Sequence, residues 1–143
     1  NIGFVFQFFN LLPVLTVEEN ILLPTRLDNK RVDKDYLGEI LNFLGIYDKR
    51  NRYPATLSGG QQQRVAIARA LYARPAFILA DEPTGNLDKK TSREVMELFA
   101  VSSKELKQTT IVITHDIEIA NNAKYVVSIL DGKISGIFKG AMV

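Results

Sequence analysis

The 143-residue chain contains no cysteine and no tryptophan. Without thiols it can build neither a disulfide framework nor a thiolate metal centre, and its composition fits a reducing compartment. No apolar run approaches the roughly 18–20 residues of a membrane span. Strong charge of one sign is missing as well. Its 18 Lys and Arg stand against 16 acids, a net charge of +2, which is too small to argue for a nucleic-acid partner or a membrane surface. Histidine occurs once, at position 115. The opening NIGFVFQFFN has no initiator methionine and no basic region ahead of its apolar residues, so it does not read as a signal peptide. It reads as the middle of a strand, as though the chain began inside a longer protein. Repeats and low-complexity segments are also lacking.

What is present is ordinary globular material, 46% hydrophobic and 24% charged, in a chain long enough to bury a real core. Residues 2–6, IGFVF, suit a buried strand, and 8–15, broken by Asn10 and Pro13, suit a loop. Thr16 and Glu19 have capping-box spacing, which predicts a helix from about Val17 that Pro24 kinks or ends. After a charged connector over 26–35, Tyr36, Leu37, Ile40, Leu41 and Leu44 recur at helical spacing with Gly45 as the C-cap. Residues 16–52 therefore read as a small helical lobe. Beyond residue 76 the pattern changes to an apolar strand at 76–80, then a helix from about Asp88 to Lys107 with Val95, Leu98, Phe99 and Leu106 on one side. A β-branched strand follows at 109–114, then a short helix at 117–122. Last come YVVSIL at 125–130 and a hairpin through Asp131-Gly132 into KISGIF. Strands alternating with helices predict a parallel sheet covered on both faces.

Four places carry chemistry. LSGGQQQRVAIARAL (57–71) begins with Ser58 and Gln61 at capping-box spacing, but a cap does not need Gly59 and Gly60, which cost about 1 kcal/mol each inside a helix. Glycines are worth that cost where backbone approaches a ligand, and bare amides at a helix start form an anion site. Asp81 and Glu82 close an apolar strand at the end where open parallel sheets bind ligands. One carboxylate there can hold Mg²⁺, usually through water; the other, its proton affinity raised by the neighbouring charge, could act as a base. His115 stands at the end of the next strand. A lone histidine is more often a satisfied polar group, and the strand terminus argues for more. Gln7, also just past a strand, is unremarkable alone.

In this order and at these strand ends, the four resemble an ABC-type ATPase over essentially the whole chain. FQFFNLLP resembles the Q-loop, LSGGQQQRVAIARAL the ABC signature, FILADEPTGNLD the Walker B segment and D-loop, and ITHD the switch histidine. NLLPVLTVEENILLP is most similar to the branch serving lipoprotein-release, macrolide and antimicrobial-peptide export. The resemblance implies an α/β fold, a partial P-loop NTPase core with a parallel sheet plus a helical signature subdomain. Residues 1–7 would be core strand and Q-loop, 8–57 the helical subdomain, and 58–143 the signature helix and the carboxyl-terminal part of the core. It implies ATP and Mg²⁺ as cofactors, with Asp81 and Gln7 toward the metal, Glu82 polarising the attacking water, and His115 on the γ-phosphate. Ser58, Gly59, Gly60 and Gln61 would contact nucleotide held by a second, head-to-tail ATPase subunit, and Asp88 would cross that interface. A transmembrane permease would be the other partner, placing the protein in the cytoplasm on the inner face of the cell membrane.

One departure is plain: no G-x-x-x-x-G-K-[ST] occurs, and Gly132-Lys133 lacks both the upstream glycine and the Ser/Thr. The cradle for the phosphates is therefore not in this sequence, and the expectation is a truncated domain that alone binds ATP weakly and does not hydrolyse it. In such a fold the strands ending at Gln7, Asp81 and His115 would be neighbours, with a further strand between the last of them and 125–130, so that sheet edges are exposed. Two other readings stand beside this one. One is a non-catalytic docking module. The other is half of a chromosome-maintenance or DNA-repair ATPase, against which stand the roughly fifty residues between Gln7 and Leu57, too few for a long coiled coil.

Overall fold

The structure, a computed structural model, describes residues 2–140. In chain order it comprises β1 (Ile2–Phe6), α1 (Val17–Leu27), α2 (Lys34–Phe43), two single 3-10 turns (Tyr47–Lys49 and Pro54–Thr56), α3 (Gly59–Tyr72), β2 (Phe77–Asp81), α4 (Lys89–Glu105), β3 (Thr109–Ile113), α5 (Ile117–Asn121), β4 (Tyr125–Leu130) and β5 (Lys133–Lys139). Strands β1, β2 and β3 form a parallel sheet in that order. The register puts Phe6, Asp81 and Ile113 in one row, so all three strands stop at the same line.

The local signals act as their spacing suggests. Thr16 Oγ1 accepts from the Glu19 N–H while the Glu19 carboxylate accepts from the Thr16 N–H at 2.8 Å, closing the capping box of α1. Pro24 does not end α1. The helix runs three residues further, with the Asp28 N–H bonding back to the Pro24 carbonyl. Burial of Val17, Ile21 and Leu22 holds this short helix, as tertiary packing commonly outweighs local propensity. The charged connector is correspondingly shorter, and Asp33 caps α2 by accepting from the Tyr36 N–H. Gly45, at φ +65°, takes the left-handed position after α2.

Helix α3 is the centre of the molecule. Its run Val65–Ala68 is fully buried, with α1 and α2 on one side, β1 on another and α4 on a third. Alanines 66, 68 and 70 keep its surface thin enough for such crowding. The sheet presents Gly3, Val5, Ile78 and Ala80 toward it, and a Cβ on Gly3 would lie 3.3 Å from Ala70 Cβ. Val95 and Phe99 of α4 join this core; Leu106 lies past the end of α4 and is 39% exposed rather than buried with them.

One expectation is overturned by the packing. The sheet is covered on one face only. Its other face carries Ile2, Phe4, Phe6, Ile111 and Ile113, all exposed, with Phe4 at 45% and Ile113 at 50%. The reason is that α1 and α2 pack onto α3 instead of crossing to that face. Strands β4 and β5 lie outside the three-stranded sheet, consistent with the expectation of a further strand between β3 and 125–130. They pair with each other alone, antiparallel, through a turn with Asp131 and Gly132 both at positive φ. The outer edges of β1 and β3 have no strand partner among the described residues.

Candidate active site

The common end-line of the three strands places Gln7, Glu82 and His115 just beyond Phe6, Asp81 and Ile113. Glu82 has a left-handed backbone, φ +43°, a strained conformation for a non-glycine residue. Its N–H bonds to the Ile113 carbonyl at 2.9 Å, and its own carbonyl accepts from the Gly85 N–H at 3.0 Å, so a tight turn leaves β2 while staying tied to β3.

That geometry delivers the Glu82 carboxylate to the end of β3. Oε1 accepts from the His115 N–H at 2.9 Å and lies 2.6 Å from His115 Nδ1, while Oε2 accepts from Thr114 Oγ1 at 3.2 Å. Burial pushes the Glu82 carboxyl up, but the His115 ring and amide and the Thr114 hydroxyl outweigh it and hold the group below its usual value. The hydrogen bond and charge of Glu82 raise His115 above its ordinary 6.5. The expectation that Asp81 raises its neighbour is therefore not met. The left-handed turn sends the Glu82 carboxylate to His115 and Thr114, and Asp81 contributes nothing to its shift. The His115 ring is 88% exposed and the Glu82 side chain 23%, so the pair sits with the histidine on the solvent side.

Asp81 is exposed, with no hydrogen bond or ion pair to its carboxylate. No cluster of three His, Cys, Asp or Glu side chains suited to a metal exists among the described residues. A single free carboxylate at a strand tip suits a cation that keeps most of its water, which fits Mg²⁺ and not a caged metal. Gln7 joins the same ledge through reciprocal bonds, its Nε2 donating to Asn86 Oδ1 at 3.2 Å and Asn86 Nδ2 to the Gln7 carbonyl at 3.1 Å.

At the start of α3, Ser58 Oγ accepts from the Gln61 N–H and Gln61 Oε1 accepts from the Ser58 N–H. The amides of Gly59 and Gly60 have no acceptor in the chain, which suits an anion. Gly60 has a second reason to lack a side chain: a Cβ there would lie 2.4 Å from Thr91 Cγ2 on the first turn of α4. Asp88 caps that turn, accepting from the Lys90 and Thr91 N–H groups and from Thr91 Oγ1. The glycine-led start of α3 and the first turn of α4 thus lie against each other within one chain.

Sequence reasoning missed two long side chains of α3. Gln63, fully buried, donates Nε2 to the Pro83 carbonyl at 2.6 Å. Arg69 donates to the carbonyls of Phe9 and Asn10, at 2.9 and 2.7 Å, and both of these residues have left-handed backbones. Pairs of 20 and 60 residues' separation leave no local signal; only the burial of polar residues inside an alanine-rich helix points to them. A cavity of about 210 Å³ beside Tyr36, Tyr72 and Arg74 includes none of the site residues.

The fold is that of the open parallel α/β class, which binds ligands at its strand tips; here those tips carry a carboxylate–histidine pair, and a helix led by two glycines packs on the sheet. The profile of the family described as ABC transporter matches residues 1–85, and the chain belongs to that family, as an ATP-binding domain. An ABC transporter ATP-binding protein of Thermotoga maritima is 49% identical across 99% of this chain and 61% of its own length. The lipoprotein-releasing system ATP-binding protein LolD 1 of Chlorobium chlorochromatii is 42% identical across 94% of this chain and 56% of its own. The dimeric post-hydrolysis structure of the ATP-binding cassette MJ0796 with ADP and Pi superposes with a TM-score of 0.80 at 41% identity, covering 97% of this chain and 62% of that one. The chain thus spans about 60% of the length of these two relatives.

Proposed function

We propose that this chain is the signature- and carboxylate-bearing part of an ATP-hydrolysing subunit that powers an exporter, working from the cytoplasmic face of the cell membrane. The observation that carries the reading is the Glu82–His115 pair at the aligned strand tips. Asp81, with Gln7 beside it, would hold Mg²⁺, which when bound neutralises charge on the phosphates. Glu82 orients and polarises the attacking water. To do so its carboxylate must be released from His115, whose ring then turns to the γ-phosphate, a short movement for a side chain already facing solvent. The open amides of Gly59 and Gly60, with Ser58 and Gln61, would meet nucleotide carried by a second subunit, and Asp88 would sit at that junction. Residues 8–57 are the helical subdomain, and the loop after Gln7 meets a membrane permease. Similarity to LolD supports the export branch; nucleic acid is not a partner.

This sequence holds no G-x-x-x-x-G-K-[ST], so the chain by itself is expected to bind MgATP weakly and not to hydrolyse it. Calorimetric titration checks the first point, and tight stoichiometric binding would overturn it. A chimera in which this chain replaces the matching segment of the Thermotoga maritima relative is expected to hydrolyse MgATP. Failure of a folded, dimeric chimera to turn over would refute the enzymatic reading and leave the docking module.

A further inference from the structure

The polar group that this site leaves unexplained is Gln63. It lies one helical turn beyond the signature glycines, is 0% exposed, and bonds through Nε2 to the Pro83 carbonyl while its Oε1 has no partner. A buried amide with one orphaned acceptor is a poor choice for stability, since an apolar side chain of the same size would avoid the desolvation. Its orientation is fixed by chemistry, because only the nitrogen can bond a carbonyl. Pro83 follows Glu82 directly and has no N–H of its own, so this bond is the one that ties Pro83 to α3, while Asn86 further along the turn is tied to Gln7. The inner side is held by β3 through Ile113, Thr114 and His115. The left-handed Glu82 is thus gripped from two elements, as a strained residue must be to persist.

We propose that Gln63 is a positioning residue that links the phosphate-facing start of α3 to the turn aiming Glu82. A shift of α3 when Gly59 and Gly60 engage an anion pulls on Pro83 and so on the Glu82 carboxylate, through one hydrogen bond. The signature of a chain would in this way report a partner's nucleotide to the chain's own water-orienting carboxylate. This inference rests on the reading of Ser58–Gln61 and Glu82 given above, and its test does not use ATP. Arg69 cannot play the same part, since it grips the loop after Gln7 and makes no contact with the turn.

The test is amide exchange and side-chain NMR on the full chain, wild type against Gln63→Met, a substitution of similar size that lacks the donor. Losing one buried bond is expected to speed exchange of the Gly85 amide, which closes the Glu82 turn, on the order of fivefold. It should also move the His115 titration midpoint down toward 6.5, with the Ile67 and Ala68 amides of α3 unchanged. A merely structural role would loosen α3 itself and leave His115 where it was, and that result overturns the proposal, as does a variant indistinguishable from wild type. If the variant does not fold, the wild-type chain still decides. Gln63 side-chain amide protons should exchange far more slowly than those of Gln61, and equal rates would overturn the link. Absence of hydrolysis in the chimera would refute the enzymatic reading without touching these exchange results.

Discussion

The two faces of the three-stranded sheet differ more than any other two regions of the molecule. On one, Val5, Ile78 and Ala80 are fully buried under α3. On the other, Phe4, Ile111 and Ile113 point into solvent, although the strands are as apolar there as on the covered side. Parallel sheets read as continuous apolar runs because both faces are normally covered, and this chain's own helices cover one. The covered face carries the buried core, and the strand tips carry the candidate site residues. The open face keeps apolar area in water, with Phe4, Ile111 and Ile113 each about half exposed.

This contrast can be broken by mutation. The largest effect belongs to Ile67→Ala at the middle of α3, which removes a fully buried side chain and should lower the unfolding free energy by about 2–5 kcal/mol in urea titration. A loss below about 1 kcal/mol would mean the core is not centred there. Next comes Gly60→Ala, whose Cβ meets Thr91 Cγ2 and should cost about 1–3 kcal/mol by overpacking. Adding Thr91→Ser, which removes that methyl and keeps the hydroxyl that Asp88 accepts, should recover most of it. No recovery would leave phosphate contact as the sole reason for that glycine.

A smaller effect follows from the Glu82–His115 pair. Glu82 is lowered from 4.5, so its contribution is present above that value and fades as pH falls through the lowered one. His115 is raised from 6.5, so its contribution is complete below that value and fades as pH rises through the raised one. The thermal midpoint of His115→Gln should therefore fall below wild type most between about 4.5 and 6.5, and the two should converge toward alkaline pH. A difference that grows with rising pH would contradict the pairing. Smallest of all, Phe4→Ala on the open face should change stability by less than about 0.5 kcal/mol while reducing self-association measured by light scattering. A loss as large as that of Ile67→Ala would show that this face is covered after all.

What could be read ahead of the structure was whatever short spacing encodes. Two capping boxes, a left-handed Gly45 and the Asp131-Gly132 hairpin are each set within four residues, and all appear. The strand order β1-β2-β3 was legible only through the family resemblance, whose topology makes the strands ending at Gln7, Asp81 and His115 neighbours. The fate of Pro24 was not, since burial of Val17, Ile21 and Leu22 decides it. Nor was the direction of the Glu82 shift: the sequence shows Asp81 next door, while the fold brings His115 and Thr114, 33 and 32 residues away, to the carboxylate. Gln63 and Arg69 were invisible for the same reason, their partners being loops distant in sequence.

Glu82, held at the strand tip, is proposed to orient the water in ATP hydrolysis. The most direct measurement of this is MgATP turnover and nucleotide affinity of the Thermotoga maritima chimera carrying Glu82→Gln, set against the unsubstituted chimera. Turnover lower by about 10²–10⁴-fold with ATP still bound is the expected result. Turnover unchanged by the substitution would contradict it.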